Sequence, residues 1–250
     1  MTKLKDFIKI INSEFPEDRL TYQKAVPTFH PESAEDASKL FKLANENVQK
    51  LFITGFGNNL DPIGEKFEKM VSIRTDRLNN IYEIAPQDFY VRVGSGYPLR
   101  ELNKELKEQE LFLPHSNLPY VGSVGGALAV GLNSDYHEHN FPLKKYFIQT
   151  TLVTPVGDII NPGSVCFKSV SGYDITRMFA GSWGLLGLII SATFRVMPHT
   201  AKDEFIPMKQ QHIDRKNFLM GFSNENNSAD AKYSKKIKDK FDPNNIFPIV

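Results

Sequence analysis

The apolar and polar positions of this chain break it into short segments of changing period. Leu4, Phe7, Ile8 and Ile11 recur at helical spacing with lysines between them, which predicts an amphipathic helix over 3–14. Ala37, Leu40, Phe41, Ala44 and Val48 form a second apolar helical face, opened by Ser33 and Asp36 in an arrangement that resembles a capping box. Between the two, Pro27 and Pro31 punctuate an extended entry segment. Apolar runs at Leu51–Ile53, Met70–Ile73, Asn80–Ile84 and Phe89–Val93 predict strands, the last two as a hairpin across Pro86-Gln87. Pro98 suits the first position of a helix reaching about Glu110. Phe147–Thr154 predicts a strand closed by the turn Pro155-Val156-Gly157-Asp158, and Leu186–Val196 a long strand. Residues 199–229 are polar and weakly periodic and read as linker, with a short basic helix from about Ala229 to Lys240 after them. Strands and helices without steady alternation predict an α+β fold.

Glycine interrupts this pattern in clusters. Gly181, Gly184 and Gly187 break an apolar run that continues through Leu188 and Ile189, where glycine weakens either a helix or a strand. Their use is to let the backbone lie flat against something other than protein, such as a planar ligand. Thr54-Gly55-Phe56-Gly57-Asn58-Asn59 follows a strand directly and reads either as an ordinary turn or as a nest of N–H groups suited to a pyrophosphate. It has neither the G-x-G-x-x-G spacing nor a P-loop lysine. Residues 121–131, with Val121, Gly122, Ser123, Gly125, Gly126 and Gly131, read either as a packed small-residue helix or as a helix start near Val124 aiming free N–H groups at an anion. The three clusters together point to a dinucleotide of the flavin kind.

Composition narrows the picture. A net charge of +1 gives no electrostatic case for nucleic acid. The single Cys166 excludes an internal disulfide and leaves no thiolate metal site, so its expected role is packing. The N-terminal helix lacks an uninterrupted apolar core and no apolar run is long enough to span a membrane, which predicts a cytoplasmic protein.

The order of the motifs is specific. ITGFGNNL (53–60), VGSVGGALAVG (121–131), TTLVTPVGDII (150–160) and KSVSGYDITRMFAGSWGLLGLIISATFRVMP (168–198) resemble the PCMH-type FAD-binding domain of the vanillyl-alcohol oxidase superfamily. The last of these is similar to the version found in FAD-linked glycolate oxidase and D-lactate dehydrogenase proteins, and the tail KIKDKFDPNNIFP (236–248) is similar to their closing segment. The resemblance implies two α+β lobes, about 24–85 and 86–198, with FAD between them, after an N-terminal helix (1–23) and before a helical tail (199–250). It also implies cofactor contacts from Thr54 to Leu60 and from Val121 to Gly126, with pyrophosphate on the backbone of Gly55 to Asn59 and flavin and ribityl chain near Gly122 to Gly126. Gly131 and Gly181 to Ile189 would stand on the other side.

Four departures change what carries over. Relatives that hold FAD covalently have a histidine after the first loop; Asn58-Asn59 stand there, which implies non-covalent FAD. Leu132-Asn133-Ser134 replaces a His-Gly found in some relatives, and Phe141-Pro142-Leu143-Lys144-Lys145 replaces a frequent Gly-x-x-Arg-Asp loop. Trp183 replaces an acidic residue. Only 199–235 lie where catalytic relatives insert a substrate domain, so a substrate pocket is expected from the FAD domain itself or from a partner subunit.

Other polar residues offer few further leads. His137-Glu138-His139 reads as a solvated loop, or as two ligands of a metal whose third is missing. His115 is either a loop histidine satisfied by backbone or a neighbour of the flavin. Asp174, beside Tyr173, reads as a cap, and Arg177 as an ion pair or an anion ligand. Lys232, Lys235, Lys236, Lys238 and Lys240 read as a solvated face or as a dock for an acidic partner. The expected function is oxidation of a small hydroxy acid or alcohol by hydride transfer to FAD. The alternatives are a non-catalytic FAD-binding subunit of a hetero-oligomer and an apo-protein that kept only the fold.

Overall fold

The computed structural model describes residues 3–57, 65, 67–118, 121–136, 139–165, 175–210 and 229–249. Its amphipathic start is helix α1 (Lys3–Glu14), which buries Phe7 and Ile11. Helix α2 (Ala34–Glu46) is capped as its sequence predicts, with the Ser33 hydroxyl accepting from Asp36 N–H. Its inward face is Ala37, Leu40, Phe41 and Ala44. Val48 leaves that face: the helix ends at Glu46, and Val48 is an exposed left-handed residue with φ 49°.

The first sheet contains β1 (Leu20–Gln23), β2 (Val26–Phe29), β3 (Lys50–Thr54) and β4 (Met70–Arg74), in the order β1-β2-β4-β3. β1 and β2 form an antiparallel hairpin, whereas β2, β4 and β3 run parallel. The second sheet contains β5 (Ile81–Ala85), β6 (Tyr90–Gly94), β10 (Phe147–Val153), β11 (Ile159–Ile160) and β12 (Leu188–Arg195), antiparallel in the order β11-β10-β12-β6-β5. β5 lies in the stretch expected to close the first lobe, yet it pairs with β6. The change of sheet therefore falls between Arg74 and Ile81.

Helix α2 ties the sheets together. Its Ser38 donates to the Gly157 carbonyl and its Asn45 to that of Pro155, both in the turn between β10 and β11. Val153, Leu188 and Ile190 of the second sheet pack in one core with Phe29, Phe41 and Ile73 of the first. A larger core lies on the far side of the second sheet, around Leu99, Leu102, Leu128, Phe147, Phe179 and Phe194.

Two regions differ from expectation. The helix after Pro98 is a single 3-10 turn followed by α3 (Leu102–Lys107), and it stops short of Glu110, which is left-handed with φ 57°. The segment expected as linker supplies β14 (Pro207–Gln210), which pairs with β8 (Asn133–Tyr136) beside β9 (His139–Pro142). The remaining elements are β7 (Leu111–Phe112) and β13 (Met197–Pro198), which pair with each other, and helices α4 (Val124–Ala129), α5 (Ile175–Phe179) and α6 (Ala229–Phe241).

Candidate functional site

Thr54 ends β3 beside Arg74 of β4, so the first glycine loop leaves the carboxyl end of the parallel strands. Gly55, Phe56 and Gly57 are half-buried there, and Gly57 takes a positive φ of 83°. Asn58, Asn59 and Leu60 lie outside the described residues. A Cβ on Gly55 would stand 2.5 Å from Ser123 Oγ and 3.8 Å from Gly126 Cα, so this loop sits directly on the start of α4.

The start of α4 does not aim free N–H groups at an anion. Ser123 caps it by accepting from Gly126 N–H at 3.1 Å. Val124 N–H donates to the Tyr97 carbonyl and Gly125 N–H to that of Ser95. The donors are consumed because the 95–97 segment crosses the helix end, and that crossing also explains Gly125: a Cβ would meet Ser95 Cβ at 2.7 Å. Val121, Gly122 and Gly126 remain half-buried, with Gly126 on the side toward the first loop.

Gly131 and Gly181 face each other, a Cβ on Gly131 reaching 3.3 Å from Gly181 Cα. Gly181 N–H donates to the Leu128 carbonyl and Trp183 N–H to that of Ala129, pinning the third cluster to the end of α4. Its glycines follow from backbone conformation: φ is 87° at Gly181, 78° at Gly184 and 135° at Gly187. A Cβ on Gly184 would fall 3.2 Å from Ile53 Cβ, and one on Gly187 2.4 Å from the Val153 carbonyl oxygen. Each thus has a close protein neighbour that explains it without a ligand. Leu188 and Ile189 open β12 with both side chains buried. The three clusters therefore converge: first on second at Gly55 and Ser123, second on third at Gly131 and Gly181, third on β3 at Gly184 and Ile53.

Two hydroxyls beside this seam escaped sequence reasoning. Thr75 Oγ1 and Ser95 Oγ are buried and have no hydrogen-bond partner among the described residues. Both lie at one crossing, where a Cβ on Gly96 would fall 1.8 Å from the Thr75 carbonyl oxygen. Ser95 also bonds through its backbone to Ile190 and Gly125. The available signal was Gly94-Ser95-Gly96 directly after a strand, a short glycine pair outside the three clusters.

The titratable groups are engaged elsewhere. His115 is fully buried, its Nε2 2.8 Å from the Phe141 carbonyl and its ring edge-on to Tyr146. Burial pushes its pKa down to about 4 against that carbonyl's opposing pull, so it is the neutral, backbone-satisfied histidine of the two readings. Burial likewise pushes the Tyr146 phenol up to about 12. His30 bridges Asp76 (2.7 Å) and Thr21 (2.8 Å). Burial raises the Asp76 pKa, but the hydrogen bond and charge of His30, with Arg74, outweigh it and hold the carboxyl below its ordinary value.

The other residues singled out are dispersed. His137, Glu138, Cys166, Tyr173 and Asp174 lie outside the described residues. Among the described residues no group of three or more His, Cys, Asp or Glu side chains is placed to hold a metal. Arg177 is on the exposed face of α5, and Lys232, Lys235, Lys236 and Lys240 are on that of α6, whereas Lys238 is buried.

Residues 27–163 match the family described as FAD binding domain. The chain belongs to that family. It is 30% identical over 193 residues to a D-lactate dehydrogenase of Anaerostipes hadrus, covering 75% of this chain and 40% of the relative. It is 24% identical over 185 residues to the glycolate oxidase subunit GlcD of Bacillus subtilis, covering 74% and 39%. Its fold superposes on alkyldihydroxyacetonephosphate synthase (TM-score 0.63, 20% identity, 78% of this chain and 40% of that one). It also superposes on p-cresol methylhydroxylase (TM-score 0.62, 17% identity, 78% and 44%). These neighbours share its fold, and the family match gives FAD as its cofactor. The chain spans about 40% of the length of the curated relatives just named. Among the described residues, no helix is long and apolar enough to cross a membrane.

The residues of this FAD-binding domain suit such a group. Where the clusters meet, the half-buried surface combines glycine backbone at Gly55, Gly57, Gly122, Gly126 and Gly181 with the side chains of Phe56, Val121 and Trp183, and a flat dinucleotide can approach the glycine backbone closely. Buried hydroxyls beside it that have no partner among the described residues are groups that a polar ligand or ordered water satisfies.

Proposed function

We propose that the chain holds FAD non-covalently along this seam and serves as the flavin domain of an oxidoreductase acting on a small hydroxy acid or alcohol. The observation carrying this reading is the contact of Gly55 with Ser123, which brings the first two clusters together beside the third. Pyrophosphate is assigned to the backbone of Gly55 to Asn59, with flavin and ribityl chain near Gly122 to Gly126. The 181–189 segment stands opposite. The absence of a histidine at Asn58-Asn59 supports non-covalent binding. The hydroxy-acid class rests on the D-lactate dehydrogenase and glycolate oxidase relatives.

Bound FAD supplies a two-electron acceptor for hydride. The chain's own contribution is positional. Thr54 and Gly55 present backbone at the end of β3, Ser123 holds the helix start rigid, and Gly131 and Gly181 present backbone on the opposite side, next to Trp183.

A second reading has its own observation. His115, the histidine considered as a flavin neighbour, is committed to Phe141 and too weakly basic to take a substrate proton near neutrality. This supports a subunit whose substrate chemistry comes from a partner polypeptide. Purified protein should be yellow, and acid precipitation should release all the flavin. Anaerobic bleaching by D-lactate or glycolate alone supports the autonomous enzyme; bleaching only after a co-purifying subunit is added supports the second reading. Colourless protein that gains no flavin spectrum with added FAD overturns both.

A further inference from the structure

β3 is an edge strand of the first sheet, and the C-terminal tail closes that edge. Leu51 N–H donates to the Ile246 carbonyl at 2.7 Å. The Lys50 ammonium donates to the carbonyls of Asn244 (3.1 Å) and Asn245 (2.7 Å). Ile246 and Phe247 are buried in the core shared with β3, Phe247 edge-on to Phe41. One carboxylate shapes this return. Asp242, itself buried, accepts from Ile246 N–H on one oxygen (2.8 Å) and from Phe247 N–H on the other (2.9 Å). The second oxygen also receives the buried Lys238 ammonium at 2.6 Å, and Lys238 reaches Asn245 Oδ1 as well. Neither charge is tolerable there without the other.

We propose that Asp242 is a positioning residue for the first glycine loop: it folds the tail onto β3 and so sets where Thr54 to Gly57 stand against α4. The transmission is steric. β3 runs straight into Gly55, which has no free space against Ser123, so a shift of the strand edge moves the seam. The effect on cofactor rests on the FAD reading above; the effect on β3 does not.

Two measurements on the full chain test this: hydrogen–deuterium exchange without FAD, and FAD titration, for wild type and Asp242→Asn. In the variant, peptides spanning β3 should exchange about tenfold faster while β6 and β12 keep their protection, and the FAD Kd should rise about tenfold. Should D242N fail to fold, Lys238→Met leaves both carboxylate–amide bonds in place and should move the same two readouts in the same direction. Unchanged exchange across β3, equal loss over both sheets, or local loss with unchanged FAD affinity overturns the proposal. If wild type binds no FAD, the cofactor reading fails, and the exchange measurement still decides whether Asp242 holds β3.

Discussion

Gly55 and Ser123 share one space: a Cβ on the glycine would fall 2.5 Å from the serine hydroxyl, which is already fixed as the cap of α4. The hydroxyl cannot turn away without releasing Gly126 N–H. Gly55→Ala should therefore destabilise the fold by about 1–3 kcal/mol and weaken FAD binding. Ser123→Ala should cost about 1 kcal/mol through the lost cap. Their combination should cost clearly less than the sum, because the clashing oxygen is gone. Calorimetric unfolding of the four chains checks this, and additive losses would refute the contact.

Trp183 is the chain's one tryptophan and sits in the third cluster with a left-handed φ of 52°. FAD binding should quench its emission in step with occupancy. A titration following both tryptophan and flavin fluorescence measures this. Unchanged tryptophan emission during flavin uptake would place the cofactor away from the 181–189 segment.

His115 makes stability depend on pH. Its folded pKa, about 4, lies below the unfolded value of 6.5, so between them the unfolded chain binds more protons. Stability from this group is present above pH 6.5, falls as pH drops toward 4 and levels off below. The full loss is roughly 3 kcal/mol. Denaturant unfolding at pH 7 and 4.5 should show most of that difference in wild type and much less in His115→Gln; equal slopes in both would remove His115 as the cause.

Gly187→Ala places a Cβ at φ 135° and 2.4 Å from the Val153 carbonyl oxygen, a backbone atom with no rotamer to change. The β10–β12 pairing is already irregular near this point. The expected cost is about 3 kcal/mol or more, read as a lowered melting temperature with or without FAD. A variant as stable as wild type would contradict the geometry.

Periodic features were legible in the sequence because they depend on neighbours three or four residues away. The apolar faces of α1 and α2, the Ser33 cap and the β5–β6 hairpin are of this kind. The β14–β8 pairing was not, because its partners lie some seventy positions apart in weakly patterned sequence. For the same reason the last residues read as a polar helix and tail, with no sign that Ile246 closes the edge of β3. The N–H groups at the start of α4 looked available for an anion until the 95–97 segment was seen to take them.

Taken alone, the sequence determined the α+β class, most helices, the strands β3 to β6, β10 and β12, and the order of the three glycine clusters, since each is written in local composition. The tertiary structure decided what the glycines do. Gly55 yields to Ser123, Gly131 to Gly181 and Gly184 to Ile53, contacts between segments tens of residues apart that no local pattern encodes. Glycine permits both close approach and positive φ, so its presence marks a constraint without saying which. Only the packed chain distinguishes the two, by showing which atom occupies the space where a side chain would be.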